Sequence, residues 1–572
     1  MTADNVVLNV FPETQPLIDN ARSLPDRPYT DRMVDVQNIG ELMLNQCAKY
    51  GDKNWLTFLE DGERTATYTY SEFEQVVRQT AGFMTRGLGI QQGDRIATLT
   101  VNDFRVPIIY YAAWSIGATV VPVNCGEDDD RVEFILANSN VKALFSANDQ
   151  LERVGTISSK LPFDLAIVSL GDIADDSIHF DESVANSIPL VEFPLVPIDS
   201  EALIVYTSGT TGAPKGVALD QYNLLVDAKS ITDWHNFTDV DRAMCVLPIH
   251  HVNGTVVTIV TPMYHGGSLV LNRRFRAHGF WKNLSEEACT WVSVVPTVLA
   301  FLCEISTDLS TYDLTKFRHI ICGAGPLTVE LARRFDRLFG VRVVHGYGLS
   351  ETTCYSCFLP IDLDAASYQH WMFECGFPSI GCEISANLME IQDEHGKTLG
   401  ADERGEIVIR GHNVMRYYFG RPEVNKETFA NGWFRSGDEG FYRLGADGKN
   451  YFFITGRLKE LIIRGGVNYS PFDIDEVLVR IPGIKAAMAV GFDNSFYGEE
   501  IGAYVQLESG ATVTGDEIMQ VCKAELGYNK CPKVVIFGED FPVTSTGKYQ
   551  RNKLKPLFRE YLTTQFRDTK RR

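Results

Sequence analysis

Residues 206–217 read Tyr206-Thr-Ser-Gly-Thr-Thr-Gly-Ala-Pro-Lys-Gly-Val217 and follow the apolar run Ala202-Leu-Ile-Val205. A strand leading into this segment predicts a loop rich in glycine and hydroxyl groups and closed by one lysine. Glycines let backbone N–H groups turn inward, and the hydroxyls and ammonium add donors and charge, so the loop suits a polyphosphate. It is not a Walker A loop, because GxxxxGK[ST] cannot be laid onto Gly209 to Gly216. Taken alone, the same composition also serves as a plain flexible turn, and the rest of the chain decides between the two.

Outward from the loop, strand-like and helix-like segments alternate up to about residue 460. Phe73 to Leu88 has apolar residues at helical spacing and precedes the strand-like Arg95-Ile-Ala-Thr-Leu-Thr100. Val141-Lys-Ala-Leu-Phe145 and Leu165-Ala-Ile-Val-Ser169 read as further strands. Such alternation predicts an α/β fold with parallel sheets covered by helices. From Gly405 the pattern changes to Glu406-Ile-Val-Ile-Arg410, Gly432-Trp-Phe434 and Tyr451-Phe-Phe-Ile454, which predicts a small antiparallel unit. After Gly456-Arg-Leu-Lys459 a separate unit begins. It has strands near Leu461 to Ile463, Ala487 to Val490 and Ala503 to Gln506, and helices near Asp473 to Val479 and Asp516 to Leu526.

A chain of 572 residues has room for about four domain-sized units. It can bury a large core without a disulfide or metal staple. Its net charge of −21 argues against non-specific binding to nucleic acid or to an anionic membrane. Met1-Thr-Ala-Asp-Asn lacks the basic-then-apolar pattern of a signal peptide. Val106 to Asn124 and Ala243 to Asn272 carry no Asp, Glu, Lys or Arg, yet glycines and prolines break both, so they read as buried core elements rather than membrane spans. Twelve cysteines without a disulfide rhythm fit a reducing, cytoplasmic compartment. Cys354 and Cys357 have CxxC spacing, with Cys375 and Cys382 downstream, but no second CxxC closes a zinc site, so buried free thiols are expected.

Five further segments stand in order along the chain. They are Leu247-Pro-Ile-His-His-Val-Asn-Gly254, His345-Gly-Tyr-Gly-Leu-Ser-Glu-Thr-Thr353, Trp433-Phe-Arg-Ser-Gly-Asp438, Gly456-Arg-Leu-Lys-Glu-Leu-Ile-Ile-Arg-Gly-Gly466 and Pro542-Val-Thr-Ser-Thr-Gly-Lys-Tyr-Gln-Arg551. With the loop, in this order and spacing, they resemble the adenylate-forming superfamily, and in particular its AMP-forming acyl- and aryl-CoA synthetases. The resemblance covers residues 40 to 560 or so. It implies a large layered αβαβα N-terminal domain with a small β-barrel-like subdomain (residues 1–456), and a small mobile α+β C-terminal domain (457–572).

The chemistry implied is attack of a carboxylate on the α-phosphorus of ATP with loss of pyrophosphate, where catalysis is mostly positioning and charge neutralisation. By resemblance, Thr207, Ser208, Gly209, Thr210, Thr211 and Lys215 hold the β- and γ-phosphates. Glu351 is a hard oxygen ligand for Mg²⁺, with the hydroxyl of Ser350 or Thr352 beside it. Tyr347, following Gly346, offers a face to adenine, and Gly323-Ala-Gly-Pro326 resembles the other adenine-pocket strand end. Asp438 accepts from the ribose hydroxyls, and Arg457 contacts the ribose or phosphate region. Lys548 neutralises the α-phosphate and the reacting carboxylate. Singly, each has a plainer account: Glu351 as a helix cap, Tyr347 as core, Asp438 as a turn residue after Gly437, Lys548 as a surface lysine. Jointly they favour the site.

The resemblance also implies a second half-reaction with coenzyme A. Lys459 matches the hinge about which the C-terminal domain turns, with Glu460 where Asp is more usual. The turn withdraws Lys548 and brings Gly465-Gly466 to the site, where Gly466 leaves room for pantetheine; the alternative is an ordinary turn glycine. The acyl pocket is lined near His251 to Gly254, Val294 to Thr297 and Cys322 to Gly325. His251 matches a gate between acyl pocket and nucleotide, and His250 stands where an aromatic residue is common. Adjacent side chains usually point apart, so one of the two histidines is expected to be structural.

These readings give an acid–thiol ligase acting on a small-molecule carboxylic acid through an acyl-adenylate, without nucleic acid or a membrane span; a homo-oligomer is compatible with them. A stand-alone enzyme that loads a carrier protein is one alternative. A non-catalytic nucleotide-binding relative is another, against which Lys215, Glu351, Asp438, Arg457 and Lys548 are all present.

Overall fold

The computed structural model describes residues 7–171, 178–207, 214–543 and 549–566. Two large sheets dominate. The nine-stranded sheet runs Cys382–Glu383, Cys357–Phe358, Val343–Tyr347, His319–Cys322, Trp291–Val294, Arg242–Cys245, Ser268–Asn272, Asn54–Glu60, Glu63–Thr69. Its centre, from Val343–Tyr347 to Asn54–Glu60, is parallel, and antiparallel strands close both edges. The eight-stranded sheet runs Tyr417–Tyr418, Lys215–Asp220, Glu201–Thr207, Thr119–Val123, Arg95–Leu99, Ala143–Ala147, Ala166–Leu170, Ile178–His179. All its pairs are parallel except those of Lys215–Asp220, which is antiparallel to both neighbours.

The two uncharged windows fold as expected of core segments. The first is the helix Arg105–Ser115, a turn at Gly117 (φ +75°) and the strand Thr119–Val123, with Tyr110, Tyr111 and Trp114 fully buried. The second holds two strands and, between them, a π-helical segment Asn253–Val260 that runs into the short helix Thr261–His265. The helices Arg105–Ser115 and Gln221–His235 are buried over most of their length, as helices enclosed between two sheets must be. A capping box between Asp220 and Asn223 starts the second helix where the strand Lys215–Asp220 ends. Among the described residues, no helix is long and apolar enough to cross a membrane.

The unit expected to be barrel-like is a four-stranded antiparallel sheet, Asn387–Gln392, Gly405–Gly411, Phe434–Leu444 and Asn450–Arg457. An isolated bridge between Gly381 and Phe452 ties it to the edge of the nine-stranded sheet. One apolar core spans this sheet and the two large ones and reaches Phe453. Two separate cores begin at Ile462 and Met488. They fill a five-stranded C-terminal sheet, in which Val467–Tyr469, Ile462–Arg464, Gly498–Leu507 and Ile484–Asn494 are antiparallel and Val534–Phe537 pairs in parallel with Gly498–Leu507. The helices Pro471–Leu478 and Gly515–Leu526 accompany it.

Candidate active site

The glycine- and hydroxyl-rich loop joins two antiparallel strands whose register sets Thr207 opposite Lys215. Ser208, Gly209, Thr210 and Thr211 lie outside the described residues. The Lys215 ammonium lies 4.9 Å from the ring centroid of Tyr418, which sits on the next strand. Tyr418 in turn donates its hydroxyl proton to Glu351 Oε1 over 2.7 Å. Burial lowers the Lys215 pKa, the charge of Lys459 lowers it further, and Glu351 works in the opposite direction. Lys215, the candidate metal carboxylate Glu351 and Lys459 therefore share one electrostatic neighbourhood.

Glu351 stands on the short turn Ser350–Thr352, which side chains hold from below. The backbone N–H of Met415 donates to the Glu351 carbonyl at 2.8 Å. Thr353, a β-branched residue at φ +64°, donates its hydroxyl to the Asn413 carbonyl at 2.6 Å. The Thr352 hydroxyl is fully buried and is bonded to Leu349 N, Leu349 O and Ser356 Oγ. It secures the turn, which leaves the half-buried Ser350 as the hydroxyl next to Glu351 that can face a ligand. Asn413 also donates to Asp227 and to the Tyr355 carbonyl, both at 2.9 Å. Burial pushes the Asp227 carboxyl up to about 8.

A second cluster forms where two strands of the four-stranded sheet pair Asp438 with Arg457. Arg457 Nε lies 3.1 Å from Asp438 Oδ1, and the Tyr347 hydroxyl donates to Asp438 Oδ2 at 2.6 Å. Burial and the adjacent Asp438 carboxylate raise the Tyr347 phenol well above its ordinary range. The Arg457 guanidinium, raised first of all by Asp438, also feels Glu351, so the two clusters share one site. Gly346 and Gly323 are packed backbone to backbone: a Cβ on Gly323 would stand 2.8 Å from the Gly346 carbonyl oxygen, and one on Gly346 would stand 2.5 Å from the Phe358 ring. Gly325 is less confined, with its nearest neighbour, Pro296, at 3.4 Å.

His250 and His251 do not point apart. Their ring centroids are 4.5 Å from each other. Side chains alternate along a strand, but this segment is a turn leading into the helix of Asn253. Burial lowers His250 to about 4, which keeps it neutral. In the same segment Asn253, within the expected acyl-pocket stretch, joins Ser293 and Tyr355, which the sequence did not single out. Ser293 Oγ donates to Asn253 Oδ1 at 2.7 Å, and Asn253 Nδ2 donates to the Tyr355 hydroxyl at 3.2 Å, all buried. Gly254 is wedged so tightly that a Cβ would stand 2.4 Å from the Pro248 carbonyl oxygen.

In the C-terminal unit, Lys459 lies on the short turn Leu458–Glu460, and Gly465 and Gly466 (φ +60° and +81°) link two strands. The Arg551 guanidinium bonds both Asp475 oxygens, at 2.6 and 3.2 Å, and lies 3.8 Å from Glu460. Lys548 lies outside the described residues; its flanks are joined by an antiparallel bridge between Val543 and Tyr549. All twelve cysteines are free, and Cys354, Cys357, Cys375 and Cys382 are buried. Among the described residues, no group of three or more His, Cys, Asp or Glu side chains could hold a metal ion. A single carboxylate such as Glu351 still fits Mg²⁺, which keeps several waters and takes phosphate oxygens besides one or two carboxylates.

Residues 43–419 match the family model of the AMP-binding enzymes, and residues 473–548 match that of the AMP-binding enzyme C-terminal domain. The chain is 33% identical over 478 residues to the sulfoacetate–CoA ligase of Cupriavidus necator, covering 83% of this chain and 90% of that one. It is 30% identical over 533 residues to the oxalate–CoA ligase of Arabidopsis thaliana, covering 92% of this chain and 100% of that one. ATP-bound MatB of Rhodopseudomonas palustris superposes with a TM-score of 0.81 at 25% identity, over 91% of this chain and 99% of its own. Its apo structure gives 0.71 over the same shares, so the whole chain lies closer to the nucleotide-bound form. The chain belongs to the AMP-binding family of adenylate-forming enzymes, through both its large N-terminal part and its C-terminal domain.

Proposed function

We propose that this protein is an ATP-dependent carboxylic acid–CoA ligase working in two half-reactions. In the first, a carboxylate oxygen attacks the α-phosphorus of ATP and pyrophosphate leaves. In the second, the thiol of coenzyme A loses its proton and attacks the acyl carbon, AMP leaves, and a thioester forms. The observation that carries the reading is the shared site of Lys215 and Glu351 with Asp438 and Arg457, a cation and a carboxylate for polyphosphate beside a buried carboxylate for ribose.

Lys215 and the hydroxyls of the loop neutralise the leaving pyrophosphate, and Lys548 neutralises the α-phosphate and the incoming carboxylate. Charge neutralisation of this kind is the main contribution to phosphoryl-type transfer. Glu351 and Ser350 would hold Mg²⁺, which when bound supplies further positive charge to the phosphates. Asp438 takes the ribose hydroxyls, Tyr347 and the Gly323–Pro326 loop flank adenine, and Arg457 spans ribose and phosphate. Residues 457–572 act as the moving domain, hinged at Lys459, and Gly466 leaves space for pantetheine. The twelve free cysteines support a reducing, cytoplasmic compartment.

The acid is short and carries a second polar group. The buried Asn253–Ser293–Tyr355 cluster and neutral His250 put polar atoms in the region that the resemblance assigns to the acyl group, which supports this reading. The names of the sulfoacetate and oxalate ligases agree with such an acid. Pyrophosphate release, measured over a panel of carboxylic acids with and without coenzyme A, tests this. Turnover with short polar acids and coenzyme A is expected. Release that coenzyme A does not stimulate would favour loading of a carrier protein, and turnover with long-chain acids alone would overturn the acid class.

A further inference from the structure

The helix Val329–Phe339 begins just after the Gly323–Pro326 loop. The first N–H groups of a helix have no partner inside it, and its N-terminus carries partial positive charge. Thr328 Oγ1 accepts from Leu331 N at 3.2 Å. The N–H of Val329 donates instead to Glu476 on the helix Pro471–Leu478 of the C-terminal unit, at 3.1 Å to Oε1 and 3.3 Å to Oε2. Both residues are buried. A small cleft lies beside the bond, lined by Pro326, Thr328, His345, Phe377, Phe472 and Glu476 among others. Other contacts between the units are the Ser470 hydroxyl, which donates to the Thr455 carbonyl, and the bidentate Arg404–Asp473 pair at 2.9 and 3.1 Å, while the exposed Lys485–Glu304 pair at 3.7 Å contributes little.

We propose that Glu476 is a positioning residue that latches the C-terminal domain onto the helix behind the nucleotide pocket for adenylation, and lets go of Val329 for the thioester step. This rests on the two-step reading above. The whole chain superposes on the ATP-bound MatB relative with a TM-score of 0.81 and on its apo form with 0.71. Separation hands both the N–H and the carboxyl to water, so the bond can open in every cycle.

Protonation tunes the latch. Burial pushes the Glu476 carboxyl up to about 8; Val329 N–H, Arg480 and Arg333 pull it down, and Asp475 pushes it up. His345, on the cleft wall, is held neutral by burial at about 4. Swung into water, Glu476 returns to the ordinary carboxylate range. The docked carboxyl thus has the higher pKa, so docking takes up a proton. Its contribution is complete below the ordinary carboxylate range and is lost as pH rises through about 8.

The test is hydrogen–deuterium exchange at the Val329 amide with ATP bound, in the native chain, Glu476→Ala and Glu476→Gln, from pH 6 to 9. The expected result is tenfold or greater loss of protection in Glu476→Ala with the rest of the helix unchanged, and protection in Glu476→Gln that persists at pH 9 where the native chain loses it. Pyrophosphate release should fall severalfold in Glu476→Ala, while thioester formation from a supplied acyl-adenylate holds or rises. Unchanged exchange in Glu476→Ala, or an equal fall of both half-reactions, would overturn the latch. A native chain that forms no adenylate from any acid would instead overturn the two-step reading, and the exchange result would still judge the docking bond.

Discussion

Asp438 is fully buried, yet both its oxygens face polar partners, Tyr347 on one side and Arg457 on the other. Arg457 is half exposed and ion-paired with Asp438 through Nε at 3.1 Å, so it can turn toward a nucleotide without leaving its own charge stranded in the core. Removing the carboxylate by Asp438→Ala takes away the proposed ribose acceptor and the group that fixes Arg457. A hydrogen bond to a charged group contributes about 1.5–3 kcal/mol, so ATP affinity should drop by about 10- to 100-fold, read by titration calorimetry with ATP alone. Tyr347→Phe, which keeps the ring, should cost less. Equal losses in the two variants would mean that Asp438 acts through the tyrosine rather than on the nucleotide.

At the scale of elements, two glycines with similar sequence signals part company. Gly254 is pressed against the Pro248 carbonyl, so Gly254→Ala must displace backbone next to His251. Overpacking of this kind destabilises by about 1–3 kcal/mol, measurable as a lower urea midpoint, and acid turnover should fall with it. Gly466 has open space where a Cβ would stand and φ +81°. Gly466→Trp should cost about 1–2 kcal/mol of backbone strain, keep the fold and pyrophosphate release, and block thioester formation. Normal thioester rates in that variant would refute the channel.

The strands and both C-terminal helices were legible in the sequence because period and punctuation are local. Tyr418 was not, since it lies on a two-residue strand and gains its role from pairing beside Lys215 and bonding Glu351, 67 residues away in sequence. Asn253, Ser293 and Tyr355 lie on a helical segment, a strand and a loop far apart in sequence, and only the folded chain makes them one cluster. The paired His250 and His251 misled for a related reason: alternation was assumed where the chain turns.

At the scale of the whole molecule, one core reaches Phe453 and new cores start at Ile462, so Lys459 falls where few apolar contacts resist a turn. The two half-reactions should separate by mutation on this account. Lys548→Ala should abolish adenylate formation and spare attack of coenzyme A on a supplied acyl-adenylate, as read by rapid quench; an equal loss of both steps would remove Lys548 from its role.

The central claim is that the carboxylate oxygen bonds to the α-phosphorus, and the path of that oxygen tests it most directly. With a turning-over acid labelled with ¹⁸O in its carboxylate, together with ATP and coenzyme A, the account predicts one ¹⁸O in the AMP phosphate and none in pyrophosphate. Label in inorganic phosphate, or unlabelled AMP beside a formed thioester, would contradict it.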